Sequence, residues 1–458
     1  MKSGVGALIA ACVVSGIGGC FGGGPFATTP VAVAGQGALH NDSASLAKGQ
    51  AGFRVLYSFQ DGDDGAVPSS GLIADKSGNL YGTTTNVGGV TSCNVHCGSI
   101  FELSPPASKH ASWSFTILYD FTGGKDGGLP QGGLMFGRDG TLYGTANVGG
   151  RYGKFGDGVL FQLKAAKGHW TEKVLHDFGR GNDGRNPHGG LEADGKGNLY
   201  GTTANGGKYF SGTVYDLSLS SKAETVLYNF SGGEDGGTPL AGLTIDHADR
   251  LYGTTNYGGY FSYYCQAGCG TVFEVSPPAT RSDHWNYAVI HEFVGGVPGD
   301  GALPLDPLLL DGAGNLYGTT FLNQGAGGGT AFELTPGRRH GSWTETVLYR
   351  FPAFRGDAVA PSAGFISDSG DNLYATSQNG GLKFKGDVFK LIPPAKSSGA
   401  WTDAILHTFS SARDGTYPST NLIFGAAGLL YGTTPYGGTG DCVFTKIKGC
   451  GTVFQVGS

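Results

Sequence analysis

The pentapeptide Val55-Leu56-Tyr57-Ser58-Phe59 decides the fold, because the chain repeats it six more times. The later copies begin at Ile117, Val174, Val226, Val289, Val347 and Ile405. The spacings are 62, 57, 52, 63, 58 and 58 residues. A period near 58 residues is too long for one solenoid coil and suits four short strands with their turns. The repeat therefore predicts the blades of a β-propeller.

Each repeat contains four strand candidates, which we call a, b, c and d. In the first repeat they are residues 72–74, 79–84, 99–103 and 116–121. The a–b link at residues 75–78 has the residues and the length of a hairpin turn. The b–c and c–d links vary in length between repeats, as hairpin tips do. Four antiparallel strands per repeat give seven blades, an all-β fold.

The d–a crossing between repeats has an almost constant length. Nine positions separate the last Phe of strand d from the Pro before strand a in five repeats, as in Phe59 to Pro68. The chain begins with a lone d strand at residues 55–59 and ends with a lone a–b–c set. Because unpaired strands would leave open sheet edges, we expect the N-terminal strand to complete the last blade and close the ring. Residues 51–458 would form this single domain.

A second motif shows which family the repeat resembles. Residues 78–84, Gly-Asn-Leu-Tyr-Gly-Thr-Thr, recur at residues 197–203 and 314–320. This stretch resembles the tandem GloVer repeats of exported bacterial proteins, over about residues 52–458. The strand layout is similar to that of NHL-type propellers. Neither resemblance implies an agreed activity or a catalytic residue.

Composition excludes several classes of partner. The chain of 458 residues has 86 Gly, 14% charged residues and a formal charge of −6. It has no run of Lys and Arg, so nucleic acid and anionic lipid surfaces are not expected partners. The Gly-rich loops join strands to strands and are not strand-to-helix phosphate cradles, so no nucleotide or other cofactor is expected.

The N-terminus reads as an export signal. Lys2 precedes an apolar run at residues 7–14, which is too short to span a bilayer. Residues 17–20, Ile-Gly-Gly-Cys, resemble a lipobox, so residues 1–19 would be removed and Cys20 would carry a lipid. Residues 20–50, rich in Gly, Ala, Ser and Thr, would form a flexible tether. The alternative is an ordinary signal peptide that is cut nearby.

Six further cysteines form three local pairs, each in a b–c loop before strand c. They are Cys93 and Cys97, Cys265 and Cys269, and Cys442 and Cys450. Close pairs in an exported chain indicate disulfides that hold longer loops in place. A zinc site is the alternative, but it would need two pairs to meet in space. We expect no metal.

Residues that recur in every blade have structural explanations. Each d–a crossing carries an Asp, and seven carboxylates on one face suggest either calcium binding or turn caps. The caps are the simpler interpretation, because the Asp is present in every blade. The five Trp residues all precede strand d and are expected to pack blades together. His176, His291 and His407 replace the Tyr of strand d and are also expected to be structural.

One candidate site lies just before and within strand a, close to the predicted axis. His188, Glu192 and Asp306 stand where the other repeats carry small, apolar or uncharged residues. Together they could supply general acid–base chemistry. The alternative is that they are polar linings of a wet channel.

A second candidate site is an aromatic insertion at residues 260–264, which contains Tyr260, Tyr263 and Tyr264. Exposed aromatic rings there suit stacking against sugar rings or another protein. Arg151, Tyr152 and His96 lie in comparable b–c loops and would share such a surface. The alternative is that the insertion folds over its own blade.

Two classes of function follow. The first is a binding module for a glycan or an envelope protein, which acts through the face that carries the b–c loops and the d–a crossings. We call this the b–c face and the opposite one the a–b face. The second is a polysaccharide hydrolase or lyase with an axial site on the b–c face. Few ionisable residues depart from the repeat, so the binding module is the leading hypothesis.

Overall fold

The computed structural model describes residues 52–60, 62, 64–86, 97–108, 111–152, 156–166, 168–263, 265–280, 284–296, 299–322, 327–338, 341–352, 358–381, 383–396, 399–444 and 447–458. The predicted export segment, Cys20 and the tether lie outside these residues. The described strands, in chain order, are β1 (Arg54–Ser58), β2 (Ala66–Pro68), β3 (Ile73–Ala74), β4 (Leu80–Asn86), β5 (Ser99–Ser104), β6 (Ser114–Asp120), β7 (Leu134–Phe136), β8 (Leu142–Ala146), β9 (Val159–Ala166), β10 (His169–Asp177), β11 (Gly184–Pro187), β12 (Glu192–Ala193), β13 (Asn198–Gly206), β14 (Thr213–Ser218), β15 (Glu224–Asn229), β16 (Thr244–Ile245), β17 (Leu251–Thr255), β18 (Thr271–Ser276), β19 (Asn286–Glu292), β20 (Leu309–Leu310), β21 (Leu316–Thr320), β22 (Gly327–Pro336), β23 (Trp343–Pro352), β24 (Ala358–Pro361), β25 (Ile366–Ser367), β26 (Leu373–Gly380), β27 (Asp387–Ile392), β28 (Thr402–Thr408), β29 (Ile423–Phe424), β30 (Leu429–Thr434), β31 (Val443–Phe444), β32 (Ile447–Lys448) and β33 (Thr452–Gly457).

These strands form the seven predicted blades, each an antiparallel a–b–c–d sheet. Blades 1 to 6 run in chain order from β2 to β28, and in blades 1, 3 and 6 strand a is split into two short segments that both pair with strand b. Blade 7 has the order β29-β30-β33-β1. A one-turn 3-10 helix, Ala426–Gly428, precedes β30, and the hairpin β31–β32 lies in the b–c loop of blade 7.

Ring closure by the N-terminal strand is confirmed. Strand β1 pairs antiparallel with β33, with Val55 opposite Phe454 and Ser58 opposite Thr452. The backbone N–H of Phe59 extends this pairing to the carbonyl of Gly451 at 3.1 Å. The first and last strands of the domain therefore share one blade.

The recurring heptapeptide closes its own blade and contacts the next one. In blade 1, Asn79 Nδ2 donates to Asp75 Oδ2 at 2.9 Å, which closes the a–b turn. A side chain on Gly82 would meet the Phe101 ring, since a Cβ there would lie 2.6 Å from Cζ. The Thr83 hydroxyl donates to the carbonyl of Pro130 in blade 2 at 2.7 Å. These contacts give the motif a structural explanation.

A Gly before strand c and a Pro in the next crossing make the same junction in all seven blades. These glycines have φ between +90° and +105°, and a Cβ on any of them would lie only 2.4–2.9 Å from the proline Cδ. The pairs are Gly98 with Pro130, Gly158 with Pro187, Gly212 with Pro239, Gly270 with Pro304, Gly329 with Pro361, Gly386 with Pro418 and Gly451 with Pro68. The junction that closes the ring, between Gly451 and Pro68, therefore has the same geometry as the other six.

The core lies between blades. Seven buried clusters each combine residues of two neighbouring blades, such as Phe59 of blade 7 with Phe101 of blade 1. The Trp residues belong to these clusters: Trp285 lies 5.9 Å from the Tyr200 ring of the preceding blade, centroid to centroid. The expected packing role of the tryptophans is confirmed.

Candidate functional site

The large apolar side chains that remain exposed lie almost entirely on the b–c face. Among the described residues they are Tyr209, Phe210, Tyr260, Phe261, Tyr263, Val294, Phe384 and Phe424. All except Phe424 belong to b–c loops or to a d–a crossing. Five of the seven come from the b–c loops of blades 3 and 4, which are neighbours. Exposed aromatic residues concentrated on one side are typical of a recognition surface.

The aromatic insertion of blade 4 projects from a closed loop. Tyr263 is 87% exposed, whereas Cys265 and Cys269 next to it are buried and form a disulfide. The backbone N–H of Cys269 donates to the carbonyl of Tyr260 at 3.0 Å, and that of Cys265 donates to Ser262 at 3.2 Å. The loop is therefore anchored at its base while its rings face solvent. Tyr264 lies outside the described residues.

Two equivalent aromatic residues on this face were not predicted from the sequence. Phe210 of blade 3 and Phe384 of blade 6 both close a tight turn, with N–H to carbonyl distances of 3.4 Å to Gly207 and Gly381. Both have left-handed backbones, at φ 63° and 52°, which is unfavourable for a bulky side chain. Phe210 is also 74% exposed. The signal that could have found them is an aromatic residue three positions after the second Gly of the b–c turn.

The predicted residues of blade 2 lie on the same face, at the edge next to blade 3. The Arg151 N–H donates to Asp177 Oδ1 at 3.0 Å, and its Nε lies 3.5 Å from Asp177 Oδ2. Tyr152 lines a cleft between blades 2 and 3. His96, in the loop of blade 1, lies outside the described residues.

His188, Glu192 and Asp306 line one axial cavity of about 1100 Å³. This cavity runs along the a strands and reaches the a–b turns of blades 4 and 5, where Asp246 and Asp311 line it. The structure thus brings the three candidates to one cavity, with Asp306 two blades away from the other two.

Burial favours the neutral form of all three side chains. It raises the pKa of Glu192 to about 7 and that of Asp306 to about 7, although the Thr319 hydroxyl donates to Asp306 Oδ2 at 3.2 Å. Burial lowers the pKa of His188, and a hydrogen bond to the carbonyl of Leu240 partly offsets this. His188 Nδ1 lies 3.0 Å from that oxygen, so Nδ1 carries the proton and Nε2 is the acceptor.

The disulfide prediction is confirmed where the structure describes both partners. Cys265–Cys269 and Cys442–Cys450 are disulfides. Cys97 is disulfide-bonded as well, and its predicted partner Cys93 lies outside the described residues. The carbonyls of Cys97, Cys269 and Cys450 accept hydrogen bonds from the next crossing at 2.6–2.9 Å. Each disulfide therefore fixes a loop at the point where it holds the neighbouring blade.

The crossing Asp residues cap their own turns, as expected. In blade 3, the Ser231 N–H donates to Asp235 Oδ2 at 2.8 Å and the Tyr228 hydroxyl donates to the same oxygen at 2.9 Å. His176 and His291 replace that Tyr, with Nε2 at 3.2 Å from Asp183 and 2.9 Å from Asp300. Asp357, in the crossing that follows blade 5, lies outside the described residues. Within the described residues, no cluster of His, Cys, Asp and Glu could hold a metal ion.

The comparison with family models agrees with the repeat. The model of the Gloeobacter/Verrucomicrobia repeat matches residues 33–266 and again residues 261–457. The chain belongs to the Gloeobacter/Verrucomicrobia repeat family. In this family member the two matches together cover the whole propeller, so both halves of the ring are made of the same repeat. Comparison with curated proteins finds no match.

Solved structures similar to this Gloeobacter/Verrucomicrobia repeat protein are distant in sequence. A Bacteroides uniformis protein assigned as a 6-phosphogluconolactonase has 12% identity and a TM-score of 0.48, covering 79% of this chain and 89% of that one. A Thermus thermophilus protein assigned as an oxidoreductase (glucose dehydrogenase) has 14% identity and a TM-score of 0.40, covering 71% and 96%. A Xanthomonas campestris gluconolactonase has 14% identity and a TM-score of 0.36, covering 70% and 82%. These likenesses carry no argument about activity. The part of the chain that the structure describes contains no helix long and apolar enough to span a membrane.

Proposed function

We propose that this protein is a binding module that holds a glycan on its b–c face, over blades 2 to 4. The observation that carries the proposal is the concentration of exposed aromatic side chains in the b–c loops of blades 3 and 4. An aromatic ring offers a flat apolar face, which suits the C–H face of a sugar ring. Such rings lose little conformational entropy when they bind, because they have few rotatable bonds.

Side-chain amides beside these loops supply polar partners for sugar hydroxyls. Asn205 Nδ2 donates to Asn186 Oδ1 at 3.2 Å, and Asn186 Nδ2 donates to the carbonyl of Asn147 at 3.0 Å. The chain of amides crosses from blade 2 to blade 3. Asn205 is exposed, so its remaining hydrogen-bonding capacity faces solvent. A few fixed polar groups beside apolar rings are what a sugar site needs for orientation.

We further propose that the module is exported and attached to the cell envelope through a lipid on Cys20. The lipobox-like residues 17–20 and the small-residue tether at residues 20–50 support this. A tether of this composition would let the b–c face reach a glycan or an envelope protein away from the membrane.

A polysaccharide-cleaving enzyme remains the second candidate. It is favoured by the two carboxyl groups, Glu192 and Asp306, whose pKa values burial raises to about 7 in one cavity with His188. A general acid needs a pKa near the working pH, and these groups meet that condition.

One experiment separates the candidates. The purified chain is applied to a glycan array, and every bound polysaccharide is then incubated with it and assayed for new reducing or unsaturated ends. A binding module retains glycans and releases no ends. Release of ends by the wild type that is lost in His188→Ala would establish the enzyme, and binding to no glycan on the array would contradict the proposed ligand.

A further inference from the structure

A cleft lies at the outer edge between blades 2 and 3, beside the aromatic surface. Its volume is about 500 Å³, within the range of small-ligand pockets. Strand d of blade 2 contributes His176 and Asp177, the following crossing contributes Arg180 and Asp183, and strand d of blade 3 contributes Glu224 and Asn229. The cleft opens on the b–c face. The Lys208 N–H donates to Asn229 Oδ1 at 2.8 Å, which joins the cleft to the loop that carries Tyr209 and Phe210.

Most charged groups in the cleft already have partners. Asp183 accepts the Gly179 N–H at 2.8 Å and lies 3.2 Å from His176 Nε2. Asp177 is paired with Arg151. Glu224 differs, because its Oε1 is buried and accepts no hydrogen bond within the described residues. The pKa of Glu224 is raised to about 7, chiefly by burial; His176 lowers it, and the carboxylates of Asp183 and Asp216 add to the rise. A cation placed in the cleft would relieve this cost of ionisation.

The junction between blades 4 and 5 has the same framework, with an arginine of the chain in the corresponding place. Glu345 stands at the position of Glu224, and His291 lies 2.9 Å from Asp300, as His176 lies near Asp183. Arg350 stands where blade 3 has Asn229. Its guanidinium donates to the carbonyl of Gly299 in the crossing. Burial raises the pKa of Glu345, and His291 and, to a smaller extent, Arg350 lower it. Glu345 Oε1, like Glu224 Oε1, is buried and accepts no hydrogen bond within the described residues. Blade 3 has the shorter, neutral Asn229 and a cleft in that place.

We propose that the cleft between blades 2 and 3 binds the ammonium group of an amino sugar, with Glu224 as its principal partner. This proposal rests on the proposed glycan-binding function and names the sugar class. The ammonium group would take the space that Asn229 leaves in this junction, where Arg350 stands in the other junction. The link from Asn229 to the loop with Tyr209 and Phe210 puts the cleft beside rings that would hold the rest of the sugar chain. Arg180 lines the exposed rim of the cleft and makes no ion pair with a described carboxylate.

Calorimetric titration with two tetrasaccharides tests this directly. The probes are the tetramer of β-1,4-glucosamine and its N-acetylated form, at about pH 6.5, where the free amine is largely protonated and Glu224 is partly ionised. We expect the wild type to bind the amine form at least tenfold more tightly than the acetylated form. Glu224→Gln should abolish that preference and leave binding of the acetylated form within about twofold. Glu345→Gln, at the matching position of the filled junction, should keep the preference.

The other outcomes are also decisive. Equal affinity of the wild type for both tetramers, or an unchanged preference in Glu224→Gln, would overturn the amino-sugar proposal while leaving the aromatic surface as a glycan site. Binding of neither tetramer would also overturn it, and the glycan array would then decide the broader function by itself. Thermal melting of each variant shows that a lost preference is not lost folding.

Discussion

The two faces of the disc use the same device to close their turns but are tied to the ring differently. On the a–b face, Asp311 accepts the Ala313 and Asn315 N–H groups at 2.8 Å, and on the b–c face Asp235 accepts the Ser231 N–H at 2.8 Å. A Cβ on Gly314 of an a–b turn would meet only Pro336 at 3.8 Å, whereas the glycines before strand c press on the next blade. Neighbouring a–b turns are joined by side chains, as where Arg138 donates to the carbonyl of Gly195 at 2.8 Å, and the b–c face carries the backbone junctions between blades.

This difference explains which loops can vary in sequence without destabilising the ring. Because each b–c loop is held at its base by the Gly–Pro junction, and in three blades by a disulfide, its tip can change without loosening the ring. The exposed aromatic side chains of blades 3 and 4 occupy such tips. A face that is rigid at the base and variable at the tips costs little ordering when a ligand binds.

The largest expected effect comes from removing the strand that both faces depend on. Deletion of residues 51–60 removes β1 with Leu56, and Phe59 directly after it; these two side chains are 1% and 0% exposed. Burial of each such side chain is worth about 1.5–3 kcal/mol, and β33 would also be left as an open edge. We expect the truncated chain to lose cooperative unfolding in urea or to melt far below the full chain. A melting temperature equal to that of the full chain would contradict the closure and with it the comparison of the faces.

The next effect compares one glycine from each face. Gly270 and Gly314 both have φ +90°, but a Cβ on Gly270 would lie 2.5 Å from the Thr255 carbonyl oxygen and 2.6 Å from Pro304, whereas one on Gly314 would meet only Pro336 at 3.8 Å. Gly270→Ala should cost about 3–5 kcal/mol of unfolding free energy, as backbone strain and clash combine. Gly314→Ala should cost about 1 kcal/mol, from strain alone.

Chemical denaturation of the two variants measures this difference. If the two variants lost the same unfolding free energy, the glycines before strand c would not hold neighbouring blades together, and the proposed difference between the faces would be wrong.

A smaller effect separates the axis from the a–b face by pH. Burial raises the pKa of Asp306 to about 7, from an ordinary value near 3.8, so its folded form favours the proton. Its contribution to stability is present in full below about pH 4 and is lost as the pH rises towards 7. Asp368 on the a–b face is the opposite case: burial raises its pKa, but hydrogen bonds from Asn372 and Tyr374 outweigh this and lower it to about 2. Its contribution is present above about pH 4 and is lost as the pH falls towards 2.

Asp306→Asn should therefore stabilise the protein at pH 8 relative to the wild type, by about 1–2 kcal/mol after allowance for water in the cavity, and should change little at pH 4. Asp368→Asn should lower stability at pH 8. Thermal melting of both variants at several pH values measures this, and a stabilising effect of the same sign in both would remove the distinction between axis and face.

The fold could be predicted from the sequence because the same strand pattern occurs seven times. The phase of the repeat, with a lone strand d at Val55, was enough to predict that closure occurs between the first and last strands. The crossing Asp residues were interpreted correctly because a residue present in every blade has a structural task. Asp306 and Glu192 could be found because they depart from their repeated positions.

Other parts of the site could not be predicted from the sequence. Phe210 follows the second Gly of its turn by three positions, which marks its place, but its exposure depends on a left-handed backbone that the sequence does not reveal. The cleft at Glu224 forms where three separate segments meet, and it depends on Asn229 being shorter than Arg350 at the matching position. That comparison has meaning only once the two junctions are superposed in three dimensions.

The central claim is that the ligand binds on the b–c face. The most direct measurement is the affinity for the best glycan on the array, determined for the wild type, for the double variant Tyr260→Ala with Tyr263→Ala, and for Phe424→Ala as an exposed aromatic control on the a–b face. We predict at least a tenfold loss of affinity in the double variant, with its melting temperature within about 2 °C of that of the wild type, because the two tyrosines are about half and almost fully exposed. Phe424→Ala should bind like the wild type. Loss of binding in Phe424→Ala together with unchanged binding in the double variant would place the site on the opposite face and contradict the account.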